Sequence, residues 1–179
     1  MSRTAWERWI FCAVSFVLLF FAAMCRPTIY GNSPGEITRY LRREMADRGT
    51  GPTQLLAVED EGADRFAVFR GEKRPDERYL VRFRQNQDGD YEPYIGGVRT
   101  MWEVETGCYV EFPIGYGDDT RNFFVAWCEN PQITDLYVRF GAVREDWVTL
   151  PVGARCVVLD DPVCHVTEYR FHTADGAEF

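Results

Sequence analysis

A stretch of about 17 residues without a charge, Trp9–Cys25, constrains this chain more than any other feature. Its length is at the lower end of what spans a bilayer as an α-helix. Trp6 and Trp9 stand where interfacial aromatic residues are found. The sequence therefore predicts an N-terminal membrane segment over residues 1–26, a linker over 27–33, and a polar domain over 34–179 that lies beside or beyond a membrane.

Three fates of this segment are compatible with its flanks. Arg3 and Arg8 give the basic start of a signal sequence, but residues around Ala23 match a signal-peptidase site only loosely. Cys25 ends the run as the cysteine of a lipoprotein signal would, although Met24 before it is not small. An uncleaved signal anchor is the favoured interpretation, with cleavage and lipidation as the alternatives.

The charges on the two sides of the apolar segment give conflicting predictions of its orientation in the membrane. By count, the C-terminal flank from Arg26 to Arg43 is more basic than the N-terminal one, which would keep the domain in the cytoplasm by the positive-inside rule. Arg26 alone lies close to the boundary, however, and a large C-terminal domain can translocate regardless of its charges. We therefore predict a single-pass protein of the cell membrane whose C-terminal domain is extracytoplasmic.

Of the six cysteines, four lie beyond the apolar segment, and an even number in an exported domain fits disulfide bonds. Cys156 and Cys164 flank the turn signal Asp160-Asp161-Pro162, so the sequence predicts a hairpin that brings them together. Cys108 and Cys128 flank a similar loop. The alternative is four reduced cysteines that pack as small hydrophobic residues.

The composition argues against general nucleic-acid binding, because the net charge of −8 opposes a phosphate backbone. Aromatic residues make up 15% of the chain, so a domain of this size can bury a core of its own. Disulfides would then add to the stability of the domain without being its main source.

A capping box at Ser33-Pro34-Gly35-Glu36 predicts the start of a helix, and Gly49 supplies its end. One apolar stripe follows at helical spacing: Ile37, Tyr40, Leu41 and Met45. Three arginines lie mostly off this stripe: Arg39, Arg42 and Arg43. They fit a solvated face, and because the helix begins shortly after the membrane segment they also fit contact with anionic lipid headgroups.

From Thr53 onward the pattern has period two and predicts short strands. They are expected at Gln54–Glu59, Arg65–Arg70, Arg78–Arg84, Tyr91–Ile95, Val98–Glu105, Cys108–Phe112, Arg121–Cys128, Ile133–Phe140, Asp146–Leu150, Arg155–Leu159 and His165–Phe171. The first four form two hairpins, and in the third strand Arg82 faces away from Val81 and Phe83. The alternation of short strands and turns argues against βαβ units and parallel-sheet dinucleotide binding. The predicted fold class is α+β: the membrane helix, one short amphipathic helix, then a mainly antiparallel β-meander of sandwich or barrel type.

Four stretches carry a likeness to other proteins: Phe66–Arg70, Tyr79–Phe83, Asn130–Val138 and Glu168–Gly176. Together they resemble uncharacterised, single-pass, membrane-anchored proteins of Gram-positive, clostridial-type bacteria. The resemblance spans most of the domain and implies an anchor followed by a β-rich ectodomain. It implies no activity and transfers no functional residue.

Two groupings have residue types that bind metals. Cys156, Cys164, His165 and His172 would suit zinc, but the two histidines have opposite parity and would face opposite sides of a sheet. Oxygen-bearing side chains alternate over residues 86–92, but their glycine falls one place too early for an EF-hand, and Asp-Gly is hairpin chemistry. No metal and no cofactor is expected.

Several carboxylates could supply the acid and base of glycoside hydrolysis. They are Glu103, Glu105, Glu111, Asp118 and Asp119. The solvent face of any half-buried sheet gives the same pattern, and no nucleophile elbow, P-loop or dinucleotide fingerprint is present.

The loop that begins at Gly115 combines aromatic and polar side chains, as exposed recognition surfaces do. Its predicted partner contacts are Tyr116, Asp118, Asp119 and Arg121. The sequence thus predicts a non-catalytic binding or envelope-support domain with an unknown protein or envelope partner. An exported hydrolase that uses a carboxylate pair is the alternative, and convergent carboxylates in a concave site would favour it.

Overall fold

The computed structural model describes residues 12–16, 28–94, 96–105, 107–112, 121–150, 155–162 and 164–179. Residues 12–16 are helical. Within the described ranges no helix is both long enough and apolar enough to cross a bilayer. The rest of the membrane segment expected over 1–26 lies outside the described residues, so that segment stays a prediction.

Helix α1, Pro34–Glu44, begins where the capping box predicts. Ser33 Oγ accepts a hydrogen bond from the backbone N–H of Glu36 at 3.3 Å, and proline at the first position has no N–H that needs a partner. The predicted apolar stripe is buried along its whole length. A short 3-10 helix, Ala46–Arg48, follows, and Gly49 ends it with φ 69°, in the left-handed region that favours glycine.

The described residues after α1 form mainly antiparallel strands, which confirms the β-rich prediction. Their bounds are β1 Thr53–Glu61, β2 Asp64–Gly71, β3 Arg74–Gln85, β4 Tyr91–Pro93, β5 Arg99–Thr100, β6 Trp102–Glu105, β7 Cys108–Glu111, β8 Asn122–Cys128, β9 Ile133–Phe140, β10 Arg144–Thr149, β11 Arg155–Asp161 and β12 Val166–Thr173. The strand expected over Val98–Glu105 is divided at Met101.

These strands form three sheets. The first sheet has the order β1-β2-β3-β4, with β5 also paired to β3; the middle sheet has the order β11-β8-β7-β6; the third sheet has the order β10-β9-β12. The chain first completes the first sheet, then forms three strands of the middle sheet and two strands of the third sheet. It then adds one more strand to the middle sheet and one more to the third sheet. Strand β11 joins the middle sheet beside β8, and β12 joins the third sheet beside β9.

The predicted hairpin of Arg155–Leu159 with His165–Phe171 is therefore wrong. Both strands exist, but each pairs with a distant strand in a different sheet. The turn signal between them makes a corner between two sheets, where Asp161 Oδ1 accepts a hydrogen bond from the backbone N–H of Cys164 at 2.7 Å. Turn chemistry decides where the chain bends, and burial decides which strand it meets.

The sheets stack in layers with α1 on one side, and a hydrophobic cluster fills each space between layers. One cluster lies between α1 and the first sheet, a second between the first and middle sheets, and a third between the middle and third sheets. All seven residues of β8 are buried, because the middle sheet is covered on both faces. Helix α1 and the third sheet are thus the two outer layers of the stack.

Candidate binding face

The side of the third sheet that faces away from the core carries a regular grid of aromatic and polar side chains. Leu136, Val138 and Phe140 of β9 are buried against the middle sheet, so Tyr137 and Arg139 between them face outward. Strand pairing aligns three rows: Thr149, Asp135 and His172; Trp147, Tyr137 and Arg170; Glu145, Arg139 and Glu168. We call these nine residues the outer face, which spans about 10 Å by 14 Å at the usual strand spacing and rise.

Three rings form the centre of the outer face. The Trp147 ring lies 5.0 Å from the Tyr137 ring and 4.9 Å from the His172 ring, measured between centroids. Trp147 therefore reaches from the edge strand β10 across β9 to β12. Trp147 is 62% exposed, whereas Tyr137 beneath it is 6% exposed. Tilted contacts with these two neighbouring rings hold the large exposed ring in one place.

Charged pairs surround the rings. Arg139 lies 2.6 Å from Glu145 and 3.0 Å from Glu168, and Arg170 contacts Glu168 and lies 3.1 Å from Glu178. The hydrogen bonds from Arg139 are the main cause that lowers the pKa of Glu145. Exposed pairs of this kind contribute less than about 1 kcal/mol each to stability. Their arrangement bears more on which partner the surface accepts.

A depression of about 260 Å³ lies over the same residues and is lined by Tyr137, Arg139, Glu145, Trp147, Arg170, His172 and Glu178. It is open to solvent, and four of its seven lining residues are charged. Sites for small molecules are usually enclosed and apolar. An aromatic centre with a charged edge instead resembles the middle of a protein–protein interface.

The predicted partner loop falls mostly outside the described residues, since Tyr116, Asp118 and Asp119 are not among them. Arg121, at its end, is described. Its guanidinium donates to Asp160 at 2.9 Å and lies 3.5 Å from Asp64. Arg121 thus belongs to a charged cluster between two sheets.

Asp64 is the centre of that cluster and is fully buried. Arg82 Nε lies 2.7 Å from Asp64 Oδ1, and Arg84 Nε lies 3.3 Å from the same atom. The Arg82 guanidinium also lies 4.1 Å from the centroid of the Tyr94 ring. The expectation that Arg82 faces away from Phe83 is correct, but the middle sheet covers that side of β3, so Arg82 is buried with a carboxylate.

The carboxylates proposed as an acid–base pair do not form an accessible pair among the described residues. Glu111 is 3% exposed and lies 2.7 Å from Arg99. Burial raises the pKa of Glu111, against the opposing effect of Arg99. Glu103 is exposed on the edge strand β6. Trp102 beside it is 71% exposed, on the last strand of the middle sheet among the strands that the structure describes. Asp118, Asp119 and the side chain of Glu105 lie outside the description.

No group of three or more histidine, cysteine, aspartate or glutamate side chains is placed to hold a metal ion in the part of the chain that the structure describes. Residues 86–90 form the hairpin turn between β3 and β4, and Glu92 lies in β4. Asn86 Oδ1 accepts hydrogen bonds from the backbone N–H groups of Asp88 and Asp90 at 2.9 and 3.0 Å. The oxygens that suggested calcium therefore close the turn.

No disulfide links the described cysteines. Cys156 packs between the first and middle sheets, whereas Cys164 packs against the cluster between the middle and third sheets. The fold therefore separates the two cysteines that the wrong hairpin would have joined. Burial raises the pKa of the Cys156 thiol. Cys108 and Cys128, in contrast, lie directly opposite each other.

The arginines predicted to contact lipid lie on the free side of α1. Arg39, Arg42 and Arg43 are all exposed. Arg43 is 3.3 Å from Glu44 and also lies over the ring of Tyr40. This placement fits both a face in contact with water and a face in contact with lipid headgroups. Lipid contact therefore stays a prediction.

Comparisons with protein families, with curated proteins and with solved structures find no match for this chain. The resemblance carried by stretches such as Phe66–Arg70 stays a prediction. The sequence alone did not predict the outer face, although it contains one pattern that indicates part of it. Tyr137 and Arg139 alternate with apolar residues along β9, but only strand pairing brings Trp147 and His172 to them.

Proposed function

We propose that this protein is a non-catalytic binding domain, held at the cell membrane by its N-terminal segment and displayed outside the cytoplasm, that recognises a protein partner through the outer face. The observation that carries the proposal is Trp147, an exposed ring held in place by Tyr137 and His172. A side chain that is already positioned loses little conformational freedom on binding.

The composition of the outer face supports a protein partner. Tryptophan, tyrosine and arginine are the residues most enriched where interfaces gain their affinity, and such residues cluster at the centre within a polar rim. Here Trp147 and Tyr137 form the centre, and the pairs of Arg139 and Arg170 form the rim. The outer face has about the size of the central cluster that supplies most of the affinity in a protein–protein interface. Neighbouring surface would add the remaining area of an interface of standard size.

The order of the layers supports display away from a membrane. In the sequence only a short linker separates the apolar segment from α1, and the outer face is on the opposite outer layer. With packed layers about 10 Å apart, about 30 Å separate the two surfaces. Arg39, Arg42 and Arg43 on the free side of α1 would complement anionic headgroups. The domain would then present Trp147 toward the cell envelope.

Photo-crosslinking in intact cells tests this proposal. A photoreactive residue replaces Thr149, which is exposed beside Trp147 in the grid, in the full-length protein. We expect a discrete protein adduct. Trp147→Ala in the same chain should nearly abolish it, since loss of such a centre costs at least about 2 kcal/mol, or about 30-fold in affinity.

Trp102→Ala is the matched control, because Trp102 is as exposed as Trp147 but lies on the edge of the middle sheet. It should leave the adduct unchanged. Equal yields from the Trp147→Ala and unmodified chains would contradict the proposal. Adducts that contain glycan and no protein would show that the partner is a saccharide instead.

A further inference from the structure

Three side chains form a row across neighbouring strands of the middle sheet. Cys108 on β7 pairs with Cys128 on β8, and Cys128 pairs with Arg155 on β11. Side chains directly opposite each other in antiparallel strands project to the same face. Both cysteines belong to the cluster between the middle and third sheets. The three residues are 2%, 2% and 7% exposed, so the row is buried.

The backbone around the two cysteines suits a bond between them. The N–H of Glu129 donates to the carbonyl oxygen of Gly107 at 2.6 Å, which makes these two residues a hydrogen-bonded pair. The adjacent pair, Cys108 and Cys128, is then a non-hydrogen-bonded pair, in which Cα atoms approach to about 4.5 Å. Disulfides bridge Cα atoms about 4.4 to 6.8 Å apart. The two Sγ atoms lie 2.7 Å from each other.

Arg155 is the third member of the row. Its Nη2 donates to the carbonyl oxygen of Ile133 at 2.8 Å, while Nε and Nη1 are buried without a hydrogen-bond partner. A buried guanidinium is costly unless a negative charge lies near it. The contact with Cys108 is the first of several causes, the charge of Arg155 among them, that lower the pKa of Cys128 to about 7. A Cys128 thiolate can therefore supply that charge.

We propose that Cys108 and Cys128 form a redox site: an intramolecular disulfide that joins β7 to β8, in equilibrium with a dithiol form in which the Cys128 thiolate faces the charge of Arg155. The proposal is independent of the function assigned to the outer face. It predicts that Arg155 favours the reduced form, because the guanidinium stabilises a thiolate that oxidation removes.

The oxidant is a second disulfide, either of a protein or of a small molecule such as glutathione. The Cys128 thiolate attacks one of its sulfur atoms, which forms a mixed disulfide and releases one thiolate. Cys108 gives its proton to solvent and attacks the Cys128 sulfur, which releases the second thiol. Two cysteine thiols are thereby oxidised to one disulfide, and the oxidant is reduced to two thiols. Because the pair is buried, exchange requires β7 and β8 to be uncovered, as they are before folding is complete.

Counting reactive thiols tests the bond. Full-length protein from its native membrane is denatured without reductant, alkylated, and analysed by mass spectrometry of its peptides. We expect a linked peptide pair that contains Cys108 and Cys128, and alkylation of Cys156 and Cys164. The Cys156→Ser variant is the control and should leave the linked pair unchanged. Full alkylation of Cys108 and Cys128, after incubation with oxidised glutathione as well, would overturn the proposal.

Titration with glutathione buffers tests the role of Arg155. In Arg155→Gln the ratio of disulfide to dithiol at a given buffer should rise about threefold or more, or about 14 mV for this two-electron couple. Arg155→Lys keeps the charge and should remain close to the unmodified protein. An unchanged or lower ratio in Arg155→Gln would contradict the role of Arg155. If Arg155→Gln does not fold, the lysine variant and the thiol count still decide between the outcomes.

Discussion

Replacing Asp64 with asparagine tests the buried charged cluster between the first and middle sheets. Asp64 is fully buried, and Arg82, whose side chain is 3% exposed, contacts its carboxylate at 2.7 Å. Asparagine keeps the shape of the side chain and removes the charge. Removal of one partner of a buried ion pair costs about 3 to 5 kcal/mol. In a domain of this size the melting temperature should then fall by about 6 to 20 °C.

Urea unfolding of the full-length protein in mild detergent, followed by tryptophan fluorescence, measures this loss. Glu145→Gln is the control, because its ion pair with Arg139 is exposed and should contribute less than about 1 kcal/mol. Exchanging Asp64 and Arg82 together for leucine and methionine should recover part of the loss, since the two most deeply buried charges of the cluster are then both removed. An Asp64→Asn variant that loses no more than Glu145→Gln would refute the argument.

Three further predictions concern the membrane, the pH dependence and the packing. Carbonate extraction should leave the full-length protein in the membrane pellet, because the apolar segment is expected to span the bilayer; a released, shortened chain would show cleavage. Hydrogen bonds from Arg78 lower the pKa of Glu129, so the ionised carboxylate stabilises the folded protein at neutral pH. Glu129→Gln should therefore have a lower free energy of unfolding at neutral pH, and this difference should vanish as the pH falls below about 4. A difference that does not depend on pH would contradict this. Gly71→Ala should lower the free energy of unfolding, measured by thermal unfolding, by about 1 to 3 kcal/mol, because the new Cβ would lie 2.7 Å from atoms of Thr50. Gly35→Ala at the exposed start of α1 is the control and should lower it by nothing. Equal effects would show that the contact with Thr50 relaxes.

Local patterns in the sequence predicted the elements of the fold, because capping and alternation act over a few residues. Ser33 and the apolar stripe predicted α1, and the period-two pattern predicted the strands to within a few residues, except that it joined β5 and β6 into one. The burial of Arg82 could not be predicted in this way. Alternation shows that a strand has two faces, but the sheet that covers the second face comes from a distant part of the chain.

The candidate site could not be predicted for the same reason. Tyr137, Trp147 and His172 are on three strands, and in its own segment each is an ordinary position on the outward side of a strand. They become one surface only because β9 pairs on both sides, with β10 and with β12. The predicted hairpin at Asp160-Asp161-Pro162 would have given β12 a different neighbour, and the three rings would have stayed apart.

The late return of the chain to two sheets has a consequence for folding during synthesis. Strand β8 needs β11, and β9 needs β12, so the last 25 residues or so supply one neighbour to each of two earlier strands. A chain that has emerged only to Leu150 has two unpaired sheet edges and an uncovered apolar cluster, the features that lead to aggregation. The two sheets are therefore complete only when β12 has been synthesised, and a chaperone that covers these edges until then would prevent misassociation.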